Sequence, residues 1–204
     1  MAKAPVAGRA KTRLAAEAGL AVALRFTRHR VATLVRRLQA GGAWHTLLAV
    51  TPDRAVAARI WPRGVPLLPQ GGGDLGTRMQ RLMAAAPAGP VIIVGTDIPD
   101  ITPSHIAVAF RLLGRHDAVL GPARDGGYWL IGLKRRPHVP RPFAGVRWSS
   151  AHALADTLAN LRGRSVALLA TLGDVDGASD LAAHAGRWQY VIRRHETDID
   201  QSCG

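Results

Sequence analysis

Short apolar runs alternate with segments of helical periodicity along the chain. Continuous apolar runs of roughly four to eight residues are typical of buried strands, whereas apolar residues at about every third or fourth position are typical of helices. The runs predict strands over residues 45–50, 65–70, 91–95, 117–122, 128–133 and 166–172. The helical pattern predicts helices over residues 14–39, 53–60, 75–86, 102–114, 149–163 and 178–188.

Polar residues stand where several of these helices should begin. Asp74 precedes the predicted helix 75–86, and Ser149 or Ser150 can begin the predicted helix 149–163. Such side chains accept hydrogen bonds from the first N–H groups of a helix, so we expect them to act as caps. In the first predicted helix, the apolar residues that share one face are Val31, Leu34, Val35 and Leu38.

Strands that are apolar on both faces and separated by helices indicate a sheet covered by helices on each side. We therefore predict an α/β fold, a three-layer sandwich with a mostly parallel sheet. No repeat or linker divides the chain, so residues 1–195 are predicted to form one domain, followed by a polar tail at 196–204. In sheets of this kind, ligands bind beyond the carboxyl ends of the strands.

Carboxylates follow three of the predicted strands: Asp97, Asp125, and the pair Asp174 and Asp176. Charge is excluded from a protein core unless it is paired or bound to a metal, so these residues predict a site at the sheet edge. Carboxylate oxygens suit Mg²⁺ or Mn²⁺, which leave other coordination positions to phosphate oxygens. Asp97, directly behind its strand, is the first candidate for a metal ligand.

Each acidic position also has a purely structural interpretation. Asp97 or Asp100 could cap the helix that follows. The Asp-Gly-Gly sequence at 125–127 is typical of a hairpin turn, although such a turn can also present its carboxylate to a ligand. Asp176 lies in a segment that could serve only as a turn before the last predicted helix.

The N-terminal segment KAPVAGRAKTRL is basic and leads into the first predicted helix. Its glycine, Gly8, is followed by Lys11 and Arg13. A basic loop of this kind before a helix can hold phosphate through backbone N–H groups and the helix dipole. A solvated basic segment is the alternative, and the glycine-rich pattern of P-loop proteins is not matched.

Composition and charge exclude several classes of function. The chain has 204 residues and a net charge of +13, but all except three of its 27 basic residues are arginines spread along the sequence. The densest cluster, 133–142, has no aromatic side chain on which a base could stack, so no nucleic-acid partner is expected. No apolar run approaches the ~18 residues that would span a membrane. With one cysteine, Cys203, and no signal-peptide pattern, a cytoplasmic protein is expected.

Six motifs occur in an order that resembles the bacterial DUF2064 family: KAPVAGRAKTRL, QGGGDLGTRM, VGTDIPD, GPARDGGYWLIGL, GVRWSS and DVDGASDL. Members are described as transferases of the glycosyltransferase-A (GT-A) type, similar to 2-phospho-L-lactate and molybdenum-cofactor guanylyltransferases. The resemblance covers almost the whole chain and implies the nucleotide-diphospho-sugar transferase fold.

On the nucleotide side, the resemblance implies that Lys11 and Arg13 are catalytic residues that hold phosphates, with Gly8 in the same loop. The loop that follows the strand 65–70 would lie near the base. Its substrate-binding residues would be Gln70, Gly73 and Asp74.

On the metal and acceptor side, Asp97 and Asp176 would ligate Mg²⁺ or Mn²⁺. Asp125, as a catalytic residue, would line the acceptor side together with Gly126 and Gly127. Trp148 would form a wall of the pocket, unless it is an aromatic residue of the core.

Two features depart from the family pattern. Family members have an apolar strand before the lysine–proline segment, whereas Met1 almost adjoins it here. We therefore expect a truncated or absent first strand, either because the true start lies upstream or because the fold is compromised at its nucleotide loop. Gly177 and Ser179 stand where threonine and glutamate are usual, which weakens the assignment of Asp176.

The resemblance implies a metal-dependent transferase with a nucleoside triphosphate or nucleotide-sugar donor and an unknown acceptor. A glycosyltransferase that releases a nucleoside diphosphate is the first expectation. The alternatives are a guanylyl- or cytidylyltransferase-like enzyme that releases pyrophosphate, and a nucleotide-binding module without catalysis.

Overall fold

The computed structural model of the chain describes residues 1–4, 19–41, 44–135 and 140–173. Strands and helices alternate along these residues, as the hydrophobic pattern predicts. In chain order they are β1 (Ala2–Lys3), α1 (Leu20–Gln39), β2 (Leu48–Thr51), a 3₁₀ helix (Asp53–Ala57), β3 (Leu67–Pro69), α2 (Leu75–Ala85), β4 (Val91–Val94), α3 (Pro103–Leu113), β5 (Ala118–Pro122), β6 (Tyr128–Leu133), α4 (Ala153–Asn160) and β7 (Val166–Leu168).

The strands form two hydrogen-bonded groups. β1, β2 and β3 pair in parallel, in that order. In the second group, with the order β4-β6-β5-β7, β6 is antiparallel to both neighbours and β7 is parallel to β5. The α-amino group of Met1 donates to the Val94 carbonyl oxygen at 2.7 Å, which brings the first group against β4. Most of the described strand pairings are thus parallel, as predicted.

The side chains of strand β5 contact helices on both faces of the sheet. Its Val119 packs in a cluster with side chains of α1 and α3. Its neighbours Ala118 and Leu120 pack in another cluster, with side chains of α2 and α4. Successive side chains of a strand point to opposite faces, so helices cover both faces of this sheet. The predicted three-layer α/β sandwich is confirmed.

Strand β1 is short, as the sequence suggested. Ala2 pairs with Val50 and Lys3 with Thr51. Among the described residues, no strand pairs with residues 91–93 on the side opposite β6. All four residues of β4 are accordingly only half-buried, although this strand lies between the two groups.

Helix α1 buries the face that the sequence predicts, but α3 and α4 begin at other residues than the predicted caps. The four residues predicted to share a face of α1 are buried, and residues 14–18 of that prediction lie outside the described ranges. Helix α3 is capped by Thr102, which forms a capping box with His105, so Asp100 is not its cap. Helix α4 begins after His152, and neither Ser149 nor Ser150 is its cap. None of the described helices has both the length and the apolar character needed to cross a membrane.

Candidate functional site

The end of β4 lies beside the start of β6. Val94 pairs with Leu130, and the Gly95 N–H donates to the Trp129 carbonyl oxygen at 3.0 Å. Because β6 runs antiparallel to β4, the loop after β4 and the loop before β6 meet at one edge of the sheet. This edge carries Asp97, and it also carries the hairpin loop that contains Asp125.

Asp97 is exposed in the loop that follows β4. Its neighbours Ile98 and Ile101 are buried, at 5% and 0% exposure, and anchor the loop in the core. Since Thr102 caps α3, the cap interpretation is wrong for this helix. A small cavity beside Asp97 is lined by Thr96 and by side chains of α1.

Asp97 also lies near the start of β1. Burial lowers the pKa of the Met1 α-amino group to about 6, and the charge of Asp97 acts in the opposite direction. The carboxylate is therefore close enough to β1 to affect a charge there. Asp97 thus stands between the two groups of strands.

The loop after β3 is held by several hydrogen bonds. Gln70 is buried, and its side-chain nitrogen donates to the carbonyl oxygens of Ala2 and Ala49, both at 3.0 Å. Arg81 of α2 donates to the carbonyl oxygens of Gln70 at 2.7 Å and of Gly72 at 3.0 Å. The Gln70 amide is thus engaged within the fold, whereas Gly72 and Gly73 expose backbone. The predicted contacts of Gln70 and Gly73 with a base remain predictions.

Asp74 caps helix α2, as the sequence predicted. Its Oδ1 atom accepts from the Thr77 N–H at 2.7 Å. That hydrogen bond holds the pKa of Asp74 below its usual value, and Trp148 and Arg78 act in the same direction. A carboxylate occupied in this way orients the start of α2. Asp74 is also exposed, and its contact with substrate stays a prediction.

The hairpin between β5 and β6 is a tight turn. The Asp125 Oδ1 atom accepts from the Gly127 N–H at 2.9 Å, and the side chain is exposed. Gly126 has a φ of +83°, and an added Cβ would overlap the backbone of Ala151. The predicted hairpin turn is confirmed, and it leaves Asp125 exposed at the edge of the sheet, where its contact with a ligand stays a prediction.

Trp148 connects this hairpin with the start of α2. Its ring packs against Tyr128 and Phe143, with centroids 6.3 and 6.2 Å apart. A Cβ on Gly76 would lie 2.8 Å from the same indole ring. Its Nε1 atom is buried near Asp74 but has no hydrogen-bond partner of good geometry. Trp148 is therefore mostly a packing residue between two loops, which places the loop at 70–74 close to the hairpin.

Four predicted site residues, Gly8, Lys11, Arg13 and Asp176, lie outside the described residues. The last described residue before Asp176, Gly173, lies beside Arg124. Of the remaining predicted residues, Trp148 lies between the hairpin and the start of α2, and Asp97 lies in the loop after β4.

A family model described as "Uncharacterized protein conserved in bacteria (DUF2064)" matches residues 33–150, more than half of the sequence. The chain belongs to the DUF2064 family. The matched range contains Asp97, the hairpin and Trp148, so the described part of the site lies within the family region.

The DUF2064 protein also resembles solved structures. A candidate nucleotide-diphospho-sugar transferase from Desulfovibrio desulfuricans G20 is 32% identical, with a TM-score of 0.77, over 88% of this chain and 81% of that one. Among curated proteins, none matches this sequence.

Two further solved structures share the fold at low identity. A CMP:2-keto-3-deoxy-manno-octonic acid synthetase complexed with CTP is 14% identical, with a TM-score of 0.54, over 79% of this chain and 88% of that one. A 4-diphosphocytidyl-2C-methyl-D-erythritol synthase from Anaerococcus prevotii DSM 20548 is 10% identical, with a TM-score of 0.52, over 80% of this chain and 86% of that one. The DUF2064 protein therefore has the nucleotide-diphospho-sugar transferase fold.

Few side chains in the described part of this family member could bind a metal ion together. No group of three or more histidine, cysteine, aspartate or glutamate side chains in the described ranges could hold an ion. Mg²⁺ commonly binds through only one or two carboxylates together with waters and substrate phosphates. The exposed Asp97 carboxylate fits such a substrate-bound cation, whereas a cage made only of protein ligands does not fit the described residues.

The sequence did not point to the arginines that hold the site loops. Arg81 holds the loop after β3, Arg37 donates to the loop after β4, and Arg147 pairs with Asp156 next to Trp148. In a chain with this many arginines, no local pattern distinguishes these three from the solvated ones. Their roles depend on contacts between residues far apart in the sequence.

Proposed function

We propose that this DUF2064 protein is a transferase that uses a nucleotide-activated donor and Mg²⁺ or Mn²⁺, with glycosyl transfer from a nucleotide-sugar as its reaction. The observation that carries this proposal is the exposed Asp97 carboxylate at the sheet edge, on the loop that lies beside the hairpin. The similarity to a candidate nucleotide-diphospho-sugar transferase supports the same class.

Asp97 would bind the cation, with Asp176 as the predicted second carboxylate. A cation bound there would supply positive charge against the diphosphate of the donor. Asp97 itself fixes where that diphosphate lies, because the Ile98 and Ile101 side chains anchor its loop in the core. Catalysis of this kind depends mainly on positioning and electrostatics, so it needs no nucleophilic side chain.

In this proposal, the loop after β3 binds the donor and the hairpin loop binds the acceptor. The exposed backbone of Gly72 and Gly73 would face the base, held in place by Arg81. The hairpin would face the acceptor, with the exposed Asp125 as the group that accepts a proton from the acceptor hydroxyl. Lys11 and Arg13 would contact the phosphates.

Nucleotidyl transfer is the second candidate, because a solved structure with this fold contains CTP. The two reactions differ in their products. Glycosyl transfer breaks the bond between sugar and phosphate and releases a nucleoside diphosphate. Nucleotidyl transfer breaks the bond between the α- and β-phosphates and releases pyrophosphate.

Product analysis tests the proposal. The protein is incubated with Mn²⁺ and either nucleotide-sugars or nucleoside triphosphates, with a pool of sugar and sugar-phosphate acceptors. We expect nucleoside diphosphate from a nucleotide-sugar, and we expect none with the Asp97→Asn variant. Pyrophosphate from a nucleoside triphosphate would favour the second candidate. Binding of nucleotide without either product would favour the non-catalytic module.

A further inference from the structure

Helix α1 reaches across to the loop that carries Asp97. The Arg37 Nη1 atom donates to the carbonyl oxygens of Pro99 at 2.7 Å and of Ile101 at 2.9 Å. Arg37 is half-buried, so its guanidinium lies between the helix and the loop. One nitrogen therefore ties together two carbonyl groups that are two residues apart.

The same helix holds this loop through apolar contacts. Ile98 and Ile101 belong to one core cluster with Leu34 and Leu38, which flank Arg37 on α1. Hydrogen bonds from a charged donor are stronger than those between neutral groups, and partial burial strengthens them further. Pro99 adds a fixed φ angle within the tied segment. The backbone of this loop thus has few alternative conformations while Arg37 is in place.

We propose that Arg37 is a positioning residue for Asp97. Its guanidinium holds the loop in the conformation that presents the Asp97 carboxylate at the sheet edge. The hydrogen bonds of its Nη1 atom go to backbone carbonyl oxygens, so Arg37 acts on Asp97 through the loop. This inference rests on the proposed function, in which Asp97 binds the cation.

Three variants separate positioning from general stabilisation. Arg37→Met keeps an unbranched stem and removes every donor. Arg37→Lys keeps a positive charge on a compact ammonium in place of the planar guanidinium. Arg36→Met is the matched control, because Arg36 directly precedes Arg37 in α1 and is exposed. Within the described residues its guanidinium donates to Thr33 of its own helix, at 3.4 Å.

The readout is the Mn²⁺ concentration that gives half of the nucleotide-dependent rise in melting temperature, with a fixed mixture of UDP, GDP and CDP as the probe. Residues that orient metal ligands typically change metal affinity by 10–100-fold, so Arg37→Met should raise this concentration at least about tenfold. Arg37→Lys should lie between Arg37→Met and the native protein, and Arg36→Met should match the native protein. A general loss of stability would lower the melting temperature without ligand and leave the Mn²⁺ midpoint unchanged.

An unchanged Mn²⁺ midpoint in folded Arg37→Met would overturn the inference. If Arg37→Met does not fold, the same comparison is made with Arg37→Lys, and a native midpoint there overturns it equally. If the native protein shows no response to Mn²⁺ and nucleotide, the proposed function fails instead. Amide hydrogen exchange then decides the positioning role: faster exchange over residues 97–101 in the Arg37 variants supports it, and native exchange contradicts it.

Discussion

Gly126 illustrates how a single residue shapes the candidate site. Its φ of +83° is unfavourable for other residues, and an added Cβ would lie 2.6 Å from the Ala151 Cα atom. Gly145 has a comparable φ of +64° but open space around the Cβ position. The two glycines therefore separate the cost of backbone conformation from the cost of a collision with neighbouring backbone.

We predict that Gly126→Ala destabilises the protein more than Gly145→Ala does. Backbone strain alone costs roughly 1–2 kcal/mol, which is the expected effect at Gly145. At Gly126 the collision adds to it, for a total of roughly 3 kcal/mol or more. Urea denaturation of both variants measures the difference. Equal losses in stability would mean that the hairpin does not pack against Ala151 as described.

Individual residues also show what the sequence could and could not predict. Asp97, directly behind an apolar run, was predicted to be a metal ligand at the sheet edge. It lies exposed in the loop after β4, and its role as a ligand stays a prediction. The cap of α3 was assigned to Asp97 or Asp100 as one interpretation, and Thr102 takes that role instead. A signal was present, because proline favours the first position of a helix and Pro103 therefore points to Thr102 as the cap.

At the level of elements, the segment before α4 is held by an ion pair. Arg147 donates from Nε and Nη2 to the two carboxylate oxygens of Asp156, at 2.9 and 2.8 Å, and its backbone N–H donates to the same carboxylate at 3.0 Å. Trp148 follows directly in the chain. Helix α4 thus fixes the segment that carries the aromatic ring between the two site loops.

This ion pair predicts a pH dependence of stability. The hydrogen bonds from Arg147 hold the pKa of Asp156 well below its usual value of 3.8. The folded state therefore binds this proton less readily than the unfolded state, so the stabilisation is present above that usual value and is lost as the pH falls below it. The difference in melting temperature between native protein and Asp156→Asn should be constant from about pH 5 to 8 and shrink below about pH 4.

The control for this prediction is to repeat the measurement at higher ionic strength. Arg147 is 60% exposed and Asp156 20% exposed, so the contribution is modest and should decrease as ionic strength rises. A difference in melting temperature that persisted unchanged at acidic pH would show that Asp156 acts through packing rather than through its charge.

The predicted elements agree with the structure best where the apolar pattern is long. The buried face of α1 and the strands β5 and β6 were all predicted, because periodicity and the Asp-Gly-Gly turn are local properties of the sequence. The start of α4 was predicted less well. The Ser150 hydroxyl donates to the Arg147 carbonyl oxygen and accepts from the His152 N–H, so it forms a turn before the helix rather than capping it.

For the whole molecule, the layer order and the mostly parallel sheet were predictable from the alternation of strands and helices, and the family from its ordered motifs. The contacts that hold the site were not. Arg37 and Ile101 are 64 residues apart, and Gln70 and Ala2 are 68 residues apart. Such contacts depend on how distant elements pack, which no local pattern encodes. The predicted phosphate residues and Asp176 lie outside the described ranges and stay predictions.

The central claim is that Asp97 binds a divalent cation together with the diphosphate of a nucleotide. The most direct measurement compares native protein with Asp97→Asn in a thermal-shift titration with UDP, GDP and CDP, with and without Mn²⁺. The control is Asp117→Asn, which removes the same charge from the other end of the sheet, where Asp117 accepts a hydrogen bond from Ser165. A ligand at a hundred times its Kd should stabilise the folded protein by about 2.7 kcal/mol.

We expect the Mn²⁺-dependent rise in melting temperature in the native protein and in Asp117→Asn, and none in Asp97→Asn. An equal rise in Asp97→Asn would contradict the claim, because the cation and nucleotide would then bind without this carboxylate.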